Sequence, residues 1–461
     1  MDRGGTSAVS GVRRRAGRLG VRGLVLATGL ALAPAAAPAA RAAEGPSGSG
    51  APGDPAVDLA ASPTLADVLR LAEAANPGLR AAHERWAAAR ERDAQASSLP
   101  DPRFSYTYFV ESVETRVGPQ RQKFGLTQTV PLFKLGLRGD VARLEADAAE
   151  ARRDAAAAEL RHRVTRAWND YYYLGRAIAI TDENVRLLRR LENVALTRYA
   201  SGGAPHSTVI RVQLELAKLE DRLRSLTDSR RPVLAALNAE MDRGAAEPIA
   251  WPDSLAHPDV PDDAAILDAA MRDWNPDLRA LRTTAEKQAA AARLAGRSRW
   301  PDLTLGAEIV DTDEAAMPGV TDSGKNAVMA MASVDVPLWW GRDRAESAEA
   351  QAGRRAANEE LAQRENALAA ELERIRYDLR DADRRVDLYE FTLLPKARQS
   401  LQVMEEAFTT GEASFLDLVD AQRTLLEFEL SLERSLAHRA TAVAALERIA
   451  GPHVASGPNG G

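Results

Sequence analysis

The chain has 461 residues, is rich in Ala, Leu, Arg and Glu, and contains only 5% aromatic residues, a composition typical of long helices rather than of a compact α/β enzyme. Cysteine is absent, which excludes disulfides, thiolate metal sites and a cysteine nucleophile. The formal net charge of −6 argues against nucleic acid as a partner.

The first 42 residues have the pattern of an export signal. Five arginines between positions 13 and 22 precede the apolar stretch GLVLATGLALAP, and Ala40-Arg41-Ala42 matches a cleavage site. A membrane anchor is the alternative, but Pro34 and Pro38 interrupt the stretch before it reaches about 20 apolar residues. Residues 1–42 are therefore predicted to be a signal peptide. Residues 43–63, rich in Gly, Pro and Ser, are predicted to be a flexible linker.

The remaining chain contains two similar segments, residues 64–241 and 263–451. Short motifs recur in both in the same order, which predicts an internal duplication. The matched pairs are Asn76-Pro77 with Asn275-Pro276, Leu99-Pro100 with Trp300-Pro301, Val130-Pro131 with Val336-Pro337, Gly202 with Gly411, and Ala236-Leu237 with Ala445-Leu446. A Pro-rich connector at 242–262 joins the two repeats, and a flexible tail at 452–461 follows them.

Each repeat begins with a predicted helix, at 65–97 and at 263–298, and continues with two runs in which apolar residues alternate with polar ones. Alternation with a period of two predicts strands. These runs cover residues 104–111, 123–130, 303–310 and 328–336. With their flanks they are about nine to eleven residues long, the length of a tilted strand that crosses a bilayer.

A very long helical run follows each pair of strands, at 137–200 and at 342–409, and a shorter returning helix follows at 207–240 and 414–450. At 1.5 Å per residue the long runs would measure about 100 Å, which no globular core encloses. Their Ala-rich faces favour a coiled-coil-like wall. Because four strands cannot close a barrel and an open edge cannot face lipid, several copies of the chain are predicted to pool their strands.

The sequence resembles a TolC-type outer-membrane efflux channel over residues 64–451. The resemblance lies in TLADVLRLAEAANPGLRAA, QTVPLFKLGLRGD, RYASGG…VIRVQLEL and FTTGEASFLDLVDAQ. It implies a mainly α fold with a small β part. Three protomers would share a 12-stranded β-barrel in outer-membrane lipid and a periplasmic α-barrel. The implied partners are a periplasmic adaptor (membrane fusion) protein and an inner-membrane pump such as an RND transporter. The variant PDPRFSYTYF…ETRVGPQ favours the heavy-metal efflux branch.

Two acids at the start of the last helix, Asp417 and Asp420, are the candidate pore constriction. The resemblance implies that acids spaced in this way ring the periplasmic mouth. The alternative is that they only stabilise the helix start, where the dipole favours negative charge. The first repeat has Thr208 and Arg211 at the matching positions. The tyrosine and arginine that help to close the family's prototype are replaced here by Phe408 and Ala413, so closure is expected to depend on other contacts.

The two glycine turns are predicted to be periplasmic tips that dock the adaptor, with packing inside the wall as the alternative. The candidate docking residues are Gly202, Gly203, Val209, Ile210, Gly411, Leu416 and Val419. No catalytic motif, metal-binding histidine pair or cofactor site is recognisable. Met317, Met329 and Met331 could bind a soft metal ion, but barrel or loop residues are the preferred interpretation. A soluble periplasmic coiled-coil protein, such as an adaptor, is the alternative function.

Overall fold

The computed structural model of the protein describes residues 59–454. The predicted signal peptide, most of the predicted linker and most of the predicted tail lie outside these residues. Within them the same order of elements occurs twice. In chain order the elements are α1 (Leu65–Ala75), α2 (Pro77–Ala96), β1 (Arg103–Thr115), β2 (Gly118–Val130), α3 (Leu135–Ala200), α4 (His206–Asp228), α5 (Arg230–Glu240), α6 (Ala264–Trp274), α7 (Pro276–Ala295), β3 (Leu303–Thr312), β4 (Ala327–Val334), α8 (Trp340–Asp387), a π-helical turn (Leu388–Leu393), α9 (Leu394–Thr410) and α10 (Phe415–Ala450).

Each repeat begins with two helices, and the prediction of one continuous helix over 65–97 and over 263–298 is wrong. Both breaks fall at an Asn-Pro pair, because proline disfavours helical backbone in the residue before it. Asn76 accepts a hydrogen bond from the N–H of Leu79 and so caps α2, and Asn275 caps α7 in the same way. Both asparagines also donate to the end of the returning helix of their own repeat, Asn76 to the carbonyl of Glu240 at 2.9 Å and Asn275 to that of Ile449 at 3.0 Å.

The four strands form one antiparallel sheet in the order β1-β2-β3-β4, so the sheet joins the two repeats through the β2–β3 pair. The predicted strands are confirmed, with β1 and β2 longer than expected and β4 ending at Val334 rather than at residue 336. The edge strands β1 and β4 each have one side without a partner strand in the described chain. Such edges present unpaired backbone N–H and C=O groups.

The register separates an apolar face of the sheet from a polar one. On the apolar face, Tyr106 pairs with Phe124, which pairs with Ile309, which pairs with Val328. The neighbouring row consists of Phe104, Leu126, Ala307 and Ala330. The polar face carries Lys123 and Glu308, which form an ion pair at 2.9 Å. The apolar face remains open to solvent in one copy of the chain: Phe104 is 66% exposed and Val328 is 74% exposed.

The two repeats differ in their long helices. α3 runs without interruption for 66 residues, as predicted. Its counterpart is α8 followed by α9, with the π-helical turn between them. Pro395, in the first turn of α9, has no N–H to donate and cannot continue a regular helix. The first returning helix is interrupted at Ser229 into α4 and α5, three residues before Pro232, whereas α10 is continuous over 36 residues.

The connector between the repeats is anchored on α3 by Trp251. Its ring stacks on Tyr171 at 4.3 Å between centroids, and the guanidinium of Arg230 lies 4.7 Å from its centroid. Gly175 provides the space, since a Cβ there would lie 2.7 Å from the Trp251 ring. Leu59 of the predicted linker is also buried against this part of the core, and its carbonyl accepts the N–H of Ala250 at 2.8 Å.

Candidate pore mouth and tip surfaces

The second tip is the turn between α9 and α10. Gly411 adopts φ +93°, which glycine tolerates without a steric penalty. This conformation lets the N–H groups of Gly411 and Glu412 return to the carbonyl of Ala407 at 3.1 and 2.9 Å, so the last carbonyls of α9 are satisfied. Ser414 then begins α10 with extended backbone. The predicted reversal of the chain at Gly411 is confirmed.

Asp417 takes part in a capping box at the start of α10. Its Oδ2 accepts hydrogen bonds from the N–H of Ser414 at 3.2 Å and from the Ser414 hydroxyl at 2.7 Å. In return, the N–H of Asp417 donates to the Ser414 Oγ at 3.3 Å. This reciprocal arrangement satisfies backbone donors that the first turn of a helix would otherwise leave free. The carboxylate of Asp417 is exposed, so it stabilises the helix start and still faces solvent.

Asp420 is the more open of the two acids, with 75% of its side chain exposed. The nearest cation is Arg423, whose Nη1 lies 3.9 Å away, while the Nη2 of Arg423 binds Glu215 on α4 at 2.5 Å. The hydrogen bond to Glu215 raises the pKa of Arg423. Because Glu215 is the closer partner, Asp420 keeps most of its negative charge available to the solvent. Both acids lie on the exposed side of α10, as predicted, whereas Leu418 is fully buried.

The buried stripe of α10 is not the row of leucines that follows Leu418 along the helix. Leu425, Leu432 and Leu436 are only partly buried, whereas Leu418 is fully buried. The row of α10 side chains that packs into the wall also includes two polar residues, so it cannot be recognised in the sequence as an apolar stripe. It consists of Phe415, Leu418, Val419, Gln422, Leu426, Leu430, Glu433 and Ala437.

Two buried polar residues of α10, Gln422 and Glu433, are paired with α3. Gln422 donates to the side-chain oxygen of Asn184 at 3.2 Å. Glu433 accepts from the Tyr172 hydroxyl at 2.9 Å and from Nε of Arg176 at 2.7 Å. Burial and the bond to Glu433 together raise the pKa of Tyr172 to about 12. Because an unpaired buried polar group is costly, these pairs fix the register of α3 against α10.

The first tip, between α3 and α4, has no acids. Gly202 adopts φ +75°, and the N–H of Gly203 returns to the carbonyl of Arg198 at 2.8 Å. Pro205 precedes α4 and provides no side-chain cap. Only Gly202 of the glycine pair uses the left-handed region. Thr208 occupies the third position of α4, the place that Asp417 holds in α10.

Arg198 connects the two tips. Its Nη1 donates to the carbonyl of Phe408 at 2.6 Å, and its guanidinium lies 4.8 Å from the centroid of the buried Phe408 ring. A cation at the C-terminus of a helix stabilises its last carbonyls and its dipole. Sequence reasoning missed this contact, because nothing local relates two residues that are 210 positions apart.

The structure divides the predicted docking residues into two groups. Val209 and Val419 are 2% and 4% exposed and belong to the core between the tip helices, which agrees with the alternative of packing inside the wall. Their apolar side chains sit on the stripe that faces the neighbouring helices. Ile210, one position from Val209, and Leu416, three positions from Val419, are 45% and 49% exposed. Other exposed apolar residues near the tips, which the sequence reasoning missed, are Leu196, Tyr199, Val403 and Leu214.

Residues 59–454 contain no group of three or more His, Cys, Asp or Glu side chains that could hold a metal ion. Over the same residues, no helix has both the length and the apolar character needed to span a membrane.

A family model described as outer membrane efflux protein matches residues 68–241 and 270–452. The chain belongs to the outer membrane efflux protein family. The two matched stretches coincide with the two repeats of the fold, which agrees with the predicted duplication. No curated protein matches the sequence significantly.

Solved structures with the same fold cover most of the chain. The outer membrane protein VceC from Vibrio cholerae has a TM-score of 0.70 at 20% identity, covering 84% of this chain and 96% of its own. The Neisseria gonorrhoeae MtrE outer membrane channel, in its open state, has a TM-score of 0.69 at 17% identity, with 84% and 89% covered. CusC has a TM-score of 0.69 at 14% identity, with 85% and 93% covered.

Membership of this family places the protein in the outer membrane as an efflux protein. These findings favour the channel over the alternative of a soluble periplasmic coiled-coil protein. CusC is no more similar to the chain than the other two structures are, so the assignment to a heavy-metal branch stays a prediction.

Proposed function

We propose that three copies of this chain form one outer-membrane channel, which conducts substrates delivered by a periplasmic adaptor and an inner-membrane pump such as an RND transporter. Residues 1–42 would be removed on export. The two repeats, 64–241 and 263–451, would each supply two strands to the barrel and one helical hairpin to the periplasmic tunnel.

The observation that carries the proposal is the four-stranded sheet with two open edges and an exposed apolar face. A sheet in lipid must close, because unpaired backbone groups cost several kcal/mol each in hydrocarbon. Pairing β4 of one copy with β1 of the next would remove both edges. Three copies would give twelve strands, with Phe104, Tyr106 and Val328 facing outer-membrane lipid and Lys123 and Glu308 facing the lumen.

The helices support the same arrangement. The first part of α8 is exposed nearly throughout and follows an exposed apolar segment that includes Val336, Leu338 and Trp339. Exposed apolar surface of this extent is typical of interfaces. Between neighbouring copies, α8 would be covered and the helices would form a closed wall.

In the trimer, Asp417 and Asp420 would place six carboxylates around the periplasmic mouth. A ring of acids attracts cations and disfavours anions. Arg198 and the pair formed by Arg423 and Glu215 would hold the two hairpins of each copy together there. These contacts would replace those of the prototype's tyrosine and arginine, whose positions are occupied here by Phe408 and Ala413.

The tips would dock the adaptor through Gly202, Gly203 and Gly411 in the turns and through the exposed side chains of Ile210 and Leu416. Replacing both apolar residues by glutamate should abolish efflux in cells and leave the trimer intact, because a charge cannot enter an apolar interface. Ile266→Glu, at a comparably exposed apolar residue of α6, serves as the matched control. Unchanged efflux in the tip variant would disprove the docking role.

Reconstitution of the full chain tests the channel. The mass of the purified protein in detergent should correspond to three copies, and the same sample should form ion-conducting pores in planar bilayers. A stable monomer, or a trimer that does not conduct ions, contradicts the proposal.

A further inference from the structure

The methionines of the described chain are distributed unevenly between core and surface. Met241 and Met271 are fully buried, and Met404 is partly buried. The exposed ones all belong to the β3–β4 hairpin: Met317 in its loop is 73% exposed, and on β4 Met329 and Met331 are 41% and 38% exposed. Since the chain has no cysteine, these thioethers are its accessible sulfur ligands within residues 59–454.

The register assigns Met329 and Met331 to the polar face of the sheet. Met329 pairs with Glu308 and Met331 with Gly306, and Glu308 is on the same face as Lys123, its ion-pair partner. The side chains between and beside the two methionines, Ala330 and Val328, point to the apolar face. The two methionines therefore place soft thioether groups on an otherwise polar face. A barrel lumen is generally polar, so the polarity of a lumen does not explain why methionine is found at these positions.

We propose that Met329 and Met331 form a binding site for a soft monovalent cation, Ag(I) or Cu(I), on the lumenal face of the barrel. Thioether ligands select soft ions of this kind. Met329 and Met331 are two residues apart on one strand, so their Cα atoms are about 6.6 Å from each other. The three rotatable bonds of each methionine side chain let both sulfurs reach one ion. The carboxylate of Glu308, beside Met329, adds negative charge, partly neutralised by Lys123.

This inference rests on the proposed channel, because the polar face becomes a lumen only when the barrel closes. It identifies a class of cargo for that channel. The positions matching Met329 and Met331 in the first repeat are Lys123 and Gly125, so each copy would supply one site. A competing explanation is packing: the Met331 methyl group lies over Gly306, 3.2 Å from where a Cβ would be.

The test uses the full-length protein in detergent, labelled with ¹³C at the methionine methyl groups and titrated with Ag(I), which needs no reductant. The signals of Met329 and Met331 should shift and saturate at one ion per chain, whereas those of Met317 and Met404 should stay in place. Potassium at the same concentration should shift none of them. In Met329→Leu/Met331→Leu the saturable binding should be lost, and in the control Met317→Leu it should be kept.

Two outcomes would overturn the inference. One is the absence of a shift at Met329 and Met331, which would leave packing over Gly306 as the role of Met331. The other is an equal, unsaturable shift at Met317, which would indicate binding to any exposed thioether. The mass of the same sample separates this failure from that of the channel: a trimer without the shift contradicts only the cation site, whereas a monomer contradicts the proposed channel and the placement of the pair in a lumen.

Discussion

The two acids at the second tip should respond differently to substitution. Asp417→Ala removes the acceptor of two hydrogen bonds from Ser414 and should loosen the first turn of α10. Asp420→Asn removes a charge whose nearest cation among residues 59–454, Arg423 at 3.9 Å, is already bound to Glu215. It should therefore leave the helix start unchanged. If both acids line the mouth, each substitution should also lower the preference of the channel for cations.

The expected size of the first effect follows from the capping box. Loss of a capping interaction costs about 1 kcal/mol, which corresponds to about a fivefold increase in local opening. Since Arg198 and the core around Leu418 are untouched, the change should be confined to the turn and the first residues of α10.

Hydrogen exchange and planar-bilayer recordings measure these two effects independently. Backbone amides of residues 414–420 should exchange about fivefold faster in Asp417→Ala and at the original rate in Asp420→Asn. The reversal potential in a salt gradient should move towards that of an unselective pore in both variants, and further in the double variant Asp417→Asn/Asp420→Asn. Unchanged selectivity in both single variants and in the double variant would leave Asp417 with its role at the helix start alone and would show that the pore assignment of both acids is wrong.

Two further predictions concern the core. Gly175→Ala should lower the thermal midpoint, because it forces a Cβ to 2.7 Å from the Trp251 ring at a cost of about 1–3 kcal/mol. The control Gly353→Ala, where the nearest atom is 3.5 Å from the added Cβ, should raise the thermal midpoint. Equal shifts in the two variants would contradict the role given to Trp251. Burial, with the charge of Arg448 adding to it, lowers the pKa of His162, so its stabilising contribution is full above about pH 6.5 and is lost as the pH falls through the lower folded-state pKa. His162→Gln should therefore reduce the drop in thermal midpoint between pH 7.5 and 5, and an unchanged drop would contradict this role of His162.

The sequence predicted the elements that depend on local periodicity. The alternating runs became β1–β4, and the uninterrupted run of 64 residues at 137–200 became α3. The duplication was visible because motifs recur in order. The Asn-Pro pairs mark the repeats and also end a helix: the residue before proline leaves the helix, so each helix predicted as continuous is divided into two.

The tip could be predicted only in part. Glycine positions located both turns, and Ser414 followed by Asp417 is the sequence signature of a capping box. The partners of Gln422, Glu433 and Arg198 lie on another helix 210 to 261 residues away, a distance over which local patterns carry no information. For the same reason the sequence could not distinguish buried Val209 from exposed Ile210, since both are apolar neighbours at the start of one helix.

The central claim is that β4 of one copy pairs with β1 of the next to close a barrel. The chain contains no cysteine, so introduced cysteines report on this pairing without background. Thr107→Cys on β1, whose side chain shares the lumenal face with Lys123, is combined in turn with Ala327→Cys, Met329→Cys, Met331→Cys or Ser333→Cys on β4.

Mild oxidation of outer membranes should yield cross-linked dimers and trimers, reversible by reductant, for the one or two β4 positions in register with Thr107. Each single-cysteine variant should remain monomeric on a denaturing gel. The absence of any product larger than a monomer across all four pairs, with the protein present in the outer membrane, would contradict the trimeric barrel.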